Sequence, residues 1–221
     1  PTTVHKEKTH SRNLFDEPPT FLPRTNWACP EGQLSPRWTP LQTNVTHLIV
    51  HHTAGSNSSS DWAAVVRSIW VYHANTLGWG DIGYNWLIDP NGVLYQGRAW
   101  LNDSISNIRG GHFCGVLNDP NGINNNEQTM GASLLGTFTS IKPTEAATTT
   151  LQQVLAWKAH ERTIAPKETS YHAPTSLTIN NISGHRAGCS TACPGDSLFA
   201  LLPSIRDGVD SLLKTFPIML S

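Results

Sequence analysis

The run Thr46-His-Leu-Ile-Val-His-His52 limits the fold of this chain more than any other stretch. Its centre is short, apolar and rich in branched residues, the pattern of a buried strand. Side chains alternate along a strand, so His47, Ile49 and His51 share one side while Leu48, Val50 and His52 share the other. Two adjacent histidines cannot reach one point from a regular strand. Either one of His51 and His52 serves a site and the other is structural, or neither serves one. Both stand at the strand's end, where Ala54-Gly55 opens a loop and sites commonly lie.

The remaining elements follow from periodicity and punctuation. Asp61–Thr76 reads as a helix, with Trp62, Val65, Val66, Ile69, Trp70 and His73 at helical spacing and Gly78 just past the end. Tyr84–Asp89 and Val93–Arg98 flank Pro90-Asn-Gly92, a strong hairpin signal. Loop is expected from Leu101 to Gln128, a strand over Met130–Phe138 and a second long helix over Thr144–Arg162. Leu177–Ser183 reads as a strand. A last helix, opened by Pro194 and bent by Pro203, is expected to run to about Leu213. Strands and long helices alternate, and one hairpin is antiparallel. The expected fold class is therefore α/β, one domain with a central mixed β-sheet and helices packed on its faces. Residues 1–43, polar and broken by Pro18, Pro19 and Pro23, are expected as an irregular arm and segment packed on a domain of residues 44–221.

Composition excludes several functions. Lys plus Arg number 15 against 16 Asp plus Glu, and no basic run exists, which argues against nucleic acid as a partner. No window approaches the ~20 apolar residues that span a bilayer. Pro1–Arg24 carries no apolar stretch of the kind a secretory leader has. Abundant Ser, Thr and Asn with sparse Lys fit an extracytoplasmic protein, secreted or periplasmic, and a monomer is expected.

A second stretch carries chemistry: Ser183-Gly-His-Arg-Ala-Gly-Cys-Ser-Thr-Ala-Cys-Pro-Gly-Asp196. His185 leaves a strand and Cys193 enters a helix, and the loop between them can fold back so that both side chains converge. A helix N-terminus is expected to lower the Cys193 thiol pKa and favour the thiolate. Two imidazoles and one thiolate suit zinc, and three protein ligands leave the open position that a catalytic site needs. The same residues admit another reading, in which Cys189 and Cys193 form a disulfide and the histidines are ordinary. With Cys193 on a metal, Cys29, Cys114 and Cys189 remain, enough for one disulfide and one free thiol.

Five motifs in order then carry a resemblance. Val50-His-His-Thr-Ala-Gly55, Gly78-Trp-Gly-Asp-Ile-Gly-Tyr-Asn85, Tyr95-Gln-Gly-Arg98, Gly110-Gly-His-Phe113, and Gly184-His-Arg186 with Thr191-Ala-Cys-Pro-Gly195 resemble the type 2 N-acetylmuramoyl-L-alanine amidases, which include the peptidoglycan recognition proteins. The resemblance covers roughly residues 44–213. It implies His51, His185 and Cys193 as ligands to Zn²⁺, with His52 left structural. It implies Tyr84 beside the reacting water and Thr191 facing the substrate carbonyl. His73, Trp79, Arg98 and His112 become candidate substrate contacts along a muramyl-peptide groove.

What the resemblance implies is a hydrolase that cuts the amide between N-acetylmuramic acid and L-alanine in peptidoglycan or its muropeptides. A peptidoglycan-binding module without catalysis is the alternative, although relatives of that kind typically lack the thiolate ligand. No Glu stands beside a ligand His, so no general base is evident; Asp81 is open as a metal-shell partner or as a turn residue. The chain departs from many relatives at Ala187, where they carry Asp after His-Arg, and at Gln96, where they carry Glu. It also lacks cysteines between Ser56 and Ser60, so a disulfide among Cys29, Cys114 and Cys189 is expected to replace that staple. The Asn-rich insertion Val116–Glu127 is expected to rim the groove. Gly78-Trp79 with Arg98 resembles the pattern linked to diaminopimelate-type stem peptides.

Overall fold

In the computed structural model, residues 15–31, 38–101, 107–114 and 124–215 are described. Most of the Asn-rich insertion therefore lies outside the described residues. Strand β1 (His47–His52) lies between β4 (Thr129–Leu134) and β7 (Ile182–Gly184) and runs parallel to both. Strand β2 (Trp86–Ile88) joins the far side of β4 in parallel, and β3 (Leu94–Gln96) pairs antiparallel with β2. The order β3-β2-β4-β1-β7 makes the mixed sheet expected from the sequence.

Each face of the sheet buries a different cluster. Leu48, Val50, Met130, Ala132, Trp86 and Ile88 meet helices α2 (Glu145–Arg162) and α4 (Leu202–Thr215) in the main core. Leu87 on the opposite face packs with Trp62, Val66 and Trp70 of helix α1 (Trp62–Val71). Three layers result, with helices closing both faces.

The N-terminal segment is built into this frame. Trp27 is fully buried and its indole donates to the Gln96 carbonyl at 2.8 Å. Leu22 exchanges backbone bonds with Leu94 and Gln96, which covers the outer edge of β3.

Several expected elements differ in detail. Helix α1 starts where expected, with the Asp61 carboxylate accepting from Ala64 N–H, but its last turn, Tyr72–Thr76, widens to bonds such as Leu77 N–H to Tyr72 O. Strand β4 stops at Leu134 because the chain turns at Gly136, whose φ of 130° an L side chain would resist. The expected strand 177–183 is two. Leu177–Asn180 (β6) pairs with Thr169–His172 (β5) in a separate hairpin, and β7 begins only after Asn181 anchors to Ala165 O. The expected last helix is also two, Asp196–Phe199 (α3) and α4, with Pro203 in the first turn of the second, where a missing N–H costs nothing.

Candidate metal centre

His51, Ser133 and His185 lie at or just past the carboxyl ends of the parallel strands β1, β4 and β7, where open α/β sheets place their sites. His51 is fully buried. The loop after His185 returns Cys193 to the same place. Ligand-capable atoms of His51, His185 and Cys193 all lie within 4.8 Å of one another. Cys193 Sγ stands 3.6 Å from His51 Nδ1, and the His51 and His185 rings are 4.6 Å apart. His52 points to the other face, where its Nδ1 accepts from Phe138 N–H at 3.2 Å. Among the described residues this group has three donors. A neighbouring set, Cys114, His185 and Cys189, offers no thiolate because its two sulfurs are joined in a disulfide.

The loop that presents Cys193 is held by Arg186. Its guanidinium pairs with Asp196 at 2.7 Å, donates to the carbonyls of Ala192 and Cys193, and lies over the Phe199 ring. Thr191 Oγ1 accepts from Cys193 N–H at 3.2 Å, so this side chain braces the loop from within. The expectation of a lowered thiol pKa is overturned. Cys193 lies ahead of a helix of only four residues, and burial pushes the thiol up to about 11 against the opposing His52 N–H and Arg186. A bound cation would reverse that balance, since a coordinating thiol is deprotonated outright.

Tyr84 closes one side, with its ring 5.2 Å from His51 and 5.5 Å from His73. Burial first and Cys193 second raise its phenol pKa, so the O–H stays protonated at neutral pH. His73 Nδ1 accepts from Gly83 N–H, and its ring lies 4.7 Å from that of Trp79. Trp79, Arg98, His112 and His185 line one cavity of about 630 Å³, together with Arg109 and Trp38. Arg98 is 3% exposed under the Trp38 ring, 3.8 Å from its centroid, and burial lowers its pKa to about 10, leaving it cationic at neutral pH.

Sequence reasoning missed two contributors. Ser133 on β4 is the register partner of His51 and so shares its face. Its hydroxyl is buried, approaches the Tyr84 phenol, and completes no hydrogen bond among the described residues. A single Ser in an apolar strand gives no signal until the pairing is known. Trp38 enters the cavity from the N-terminal segment. The disulfide expected among Cys29, Cys114 and Cys189 joins Cys114 to Cys189 and ties the His112 loop to the His185–Cys193 loop, with Cys29 and Cys193 left as thiols. Asp81, meanwhile, is a structural hub: it accepts from Arg24, Trp70 Nε1, Ile82 N–H and Ala99 N–H.

Fold and site together define an α/β domain with a three-donor His-His-Cys group at the head of a cationic groove. The family model described as N-acetylmuramoyl-L-alanine amidase matches residues 41–196, and the chain belongs to that family. It is 31% identical over 188 residues to the human N-acetylmuramoyl-L-alanine amidase, covering 83% of this chain but only 28% of that protein. It is 29% identical over 182 residues to peptidoglycan-recognition protein SC2 of Drosophila simulans, covering 81% and 83% of the two chains. The solved structure of human PGRP-IBETAC in complex with glycosamyl muramyl pentapeptide superposes with a TM-score of 0.62 at 24% identity, covering 84% of this chain and 96% of that one. Among the described residues no helix is long and apolar enough to cross a membrane.

Proposed function

We propose that this chain is a zinc-dependent hydrolase that cleaves the amide between N-acetylmuramic acid and L-alanine in peptidoglycan or its muropeptide fragments. The observation that carries this reading is the convergence of two imidazoles and one cysteine within 4.8 Å. That donor set suits zinc, and three protein donors leave a coordination position free, which a closed structural site would not. The buried Ser133 hydroxyl on the same face, close to the Tyr84 phenol, adds a polar group to the site. His51, His185 and Cys193 would hold the metal, and when bound it would supply a Lewis acid for the carbonyl and a water acidic enough to attack at neutral pH.

The chain's own residues do the rest. Tyr84 keeps its proton, so its O–H donates to the oxygen on which charge develops. Ser133 orients the reacting water from the sheet side. Thr191 holds the Cys193 loop, its Oγ1 accepting from Cys193 N–H. Trp79 forms one wall of the groove with the His73 ring packed against it, while Arg98 favours a carboxylate of a stem peptide. The intramolecular disulfide fits an oxidising, extracytoplasmic setting.

Incubating the purified chain with a muramyl tripeptide, with zinc and with a chelator, tests the reading. Free stem peptide, lost on chelation, is the expected result. Retention of the tripeptide without cleavage would instead establish a binding module, the behaviour that the name of the recognition-protein relatives suggests.

A further inference from the structure

We infer that His112 acts through His51, in a buried relay that leaves the Nδ1 lone pair of His51 aimed at the metal position. This inference rests on the metal reading above only for its purpose; the tautomer it assigns belongs to the metal-free chain.

The relay has three links. His51 Nε2 is 2.9 Å from His112 Nδ1, His112 Nε2 is 3.3 Å from Thr129 Oγ1, and Thr129 Oγ1 donates to the Asn126 carbonyl at 2.8 Å. A carbonyl can only accept, so the single hydroxyl proton of Thr129 is committed to Asn126. Thr129 Oγ1 must then accept from His112 Nε2–H. A neutral imidazole carries one N–H, so His112 Nδ1 is bare and accepts from His51 Nε2–H. His51 is left with its lone pair on Nδ1, the atom 3.6 Å from Cys193 Sγ. One backbone carbonyl thus sets the tautomer of a ligand three hydrogen bonds away.

The surroundings hold the relay in place. His112, Thr129 and Asn126 are all buried. Asn126 Oδ1 accepts from the N–H groups of both His112 and Phe113, which fixes the backbone under the ring. The ring lies flat against two glycines: a Cβ on Gly110 would stand 2.3 Å from His112 Cδ2, and one on Gly131 would stand 2.5 Å from His112 Cγ. No other residue type leaves room for it there. A second histidine in this place does for His51 what a carboxylate or carbonyl does for many metal-ligating histidines. His112 is therefore a positioning residue, whatever it also offers the groove.

The test compares His112→Asn, whose side-chain oxygen can take the place of Nδ1, with His112→Leu, which cannot accept. In metal-free wild-type protein, ¹⁵N NMR of the histidine side chains is expected to show His51 protonated at Nε2 and bare at Nδ1. Zinc affinity is expected to fall roughly 10–100-fold in the Leu variant and to recover most of that loss in the Asn variant. Thermal melts of the metal-free variants separate this effect from misfolding. An Nδ1–H tautomer of His51 in the wild type overturns the inference, and so does equal zinc affinity in the Leu variant and the wild type. If the Leu variant fails to fold, the wild-type tautomer decides alone. Failure of the wild type to bind zinc would remove the proposed function and leave the tautomer result standing.

Discussion

Ser133 on β4 and His51 on β1 are register partners across a parallel pair, so a buried hydroxyl close to the Tyr84 phenol and an imidazole of the candidate metal group share one face of the sheet. Tyr84 leans over both from the loop before β2. The two hydroxyls differ in what they can do. Tyr84 keeps its proton and donates; Ser133 can donate or accept, which suits a water.

Tyr84→Phe is expected to lower turnover about 100-fold, the usual cost of one donor to a developing oxyanion, with zinc still bound. Ser133→Ala is expected to lower it about tenfold, the scale of one hydrogen bond. Steady-state cleavage with parallel metal analysis checks both. Unchanged turnover in the Phe variant would remove Tyr84 from the mechanism.

Cys193→Ser removes the sulfur from the group and is expected to lower both zinc affinity and activity at least 100-fold. The fold should survive, because Arg186 holds this loop through the backbone carbonyls of Ala192 and Cys193. Chelation of the wild type should lower its melting temperature, since a ligand bound only by the folded state stabilises that state. A Ser variant that retains full activity and metal content would exclude Cys193 as a ligand.

Asp81→Ala is expected to cost about 3–5 kcal/mol, the range for a buried ion pair that loses one member. Both Asp81 and Arg24 are fully buried and stand 2.9 Å apart. The urea midpoint measures this loss. Zinc affinity of the folded fraction should not move, because Asp81 serves the N-terminal segment and the turn at Ile82, away from the metal group.

Acid should destabilise the metal-free chain. Burial, aided by a neighbouring cation or ring, holds His47 and His73 at about 4 in the folded state, below the ordinary value of 6.5. As pH falls, the unfolded chain takes up these protons first. Stability is therefore full above about pH 6.5, falls between 6.5 and 4, and levels below that. At pH 5 the loss is up to roughly 2 kcal/mol per ring. Thermal melts from pH 7.5 to 4.5 measure it, and a flat profile would contradict it.

Much of this architecture was legible where local and global preferences agree. The apolar run before His51 reads as a strand, Asn91-Gly92 as a tight turn, and Thr144–Arg162 as a long helix, which is α2 with Thr144 standing as its cap. Strand β5 left no signal because Thr169, Ser170 and Tyr171 are not buried, so no apolar alternation marks it. The strand read over 177–183 divides at Asn181, whose side chain serves a distant carbonyl; sequence cannot say which sheet each half joins. At the site, residue types pointed to His185, Cys193 and one of His51 and His52, and the resemblance chose His51, but protonation depends on burial and neighbours. That is why the thiol shift of Cys193 came out opposite to expectation, and why the roles of His112 and Ser133 emerged only from geometry.

The position of β1 has a consequence for how the chain comes into being. Both of its hydrogen-bonded neighbours, β4 and β7, lie far downstream in the sequence. During vectorial synthesis the strand that carries His51 emerges long before either partner, and its second edge must stay unpaired until Ile182–Gly184 leaves the ribosome. The metal group cannot assemble in a nascent fragment, for its last donor follows β7. A chain that stops short of Cys193 therefore carries at most two of the three donors, and the full group forms only after β1, β7 and the loop beyond it have come together.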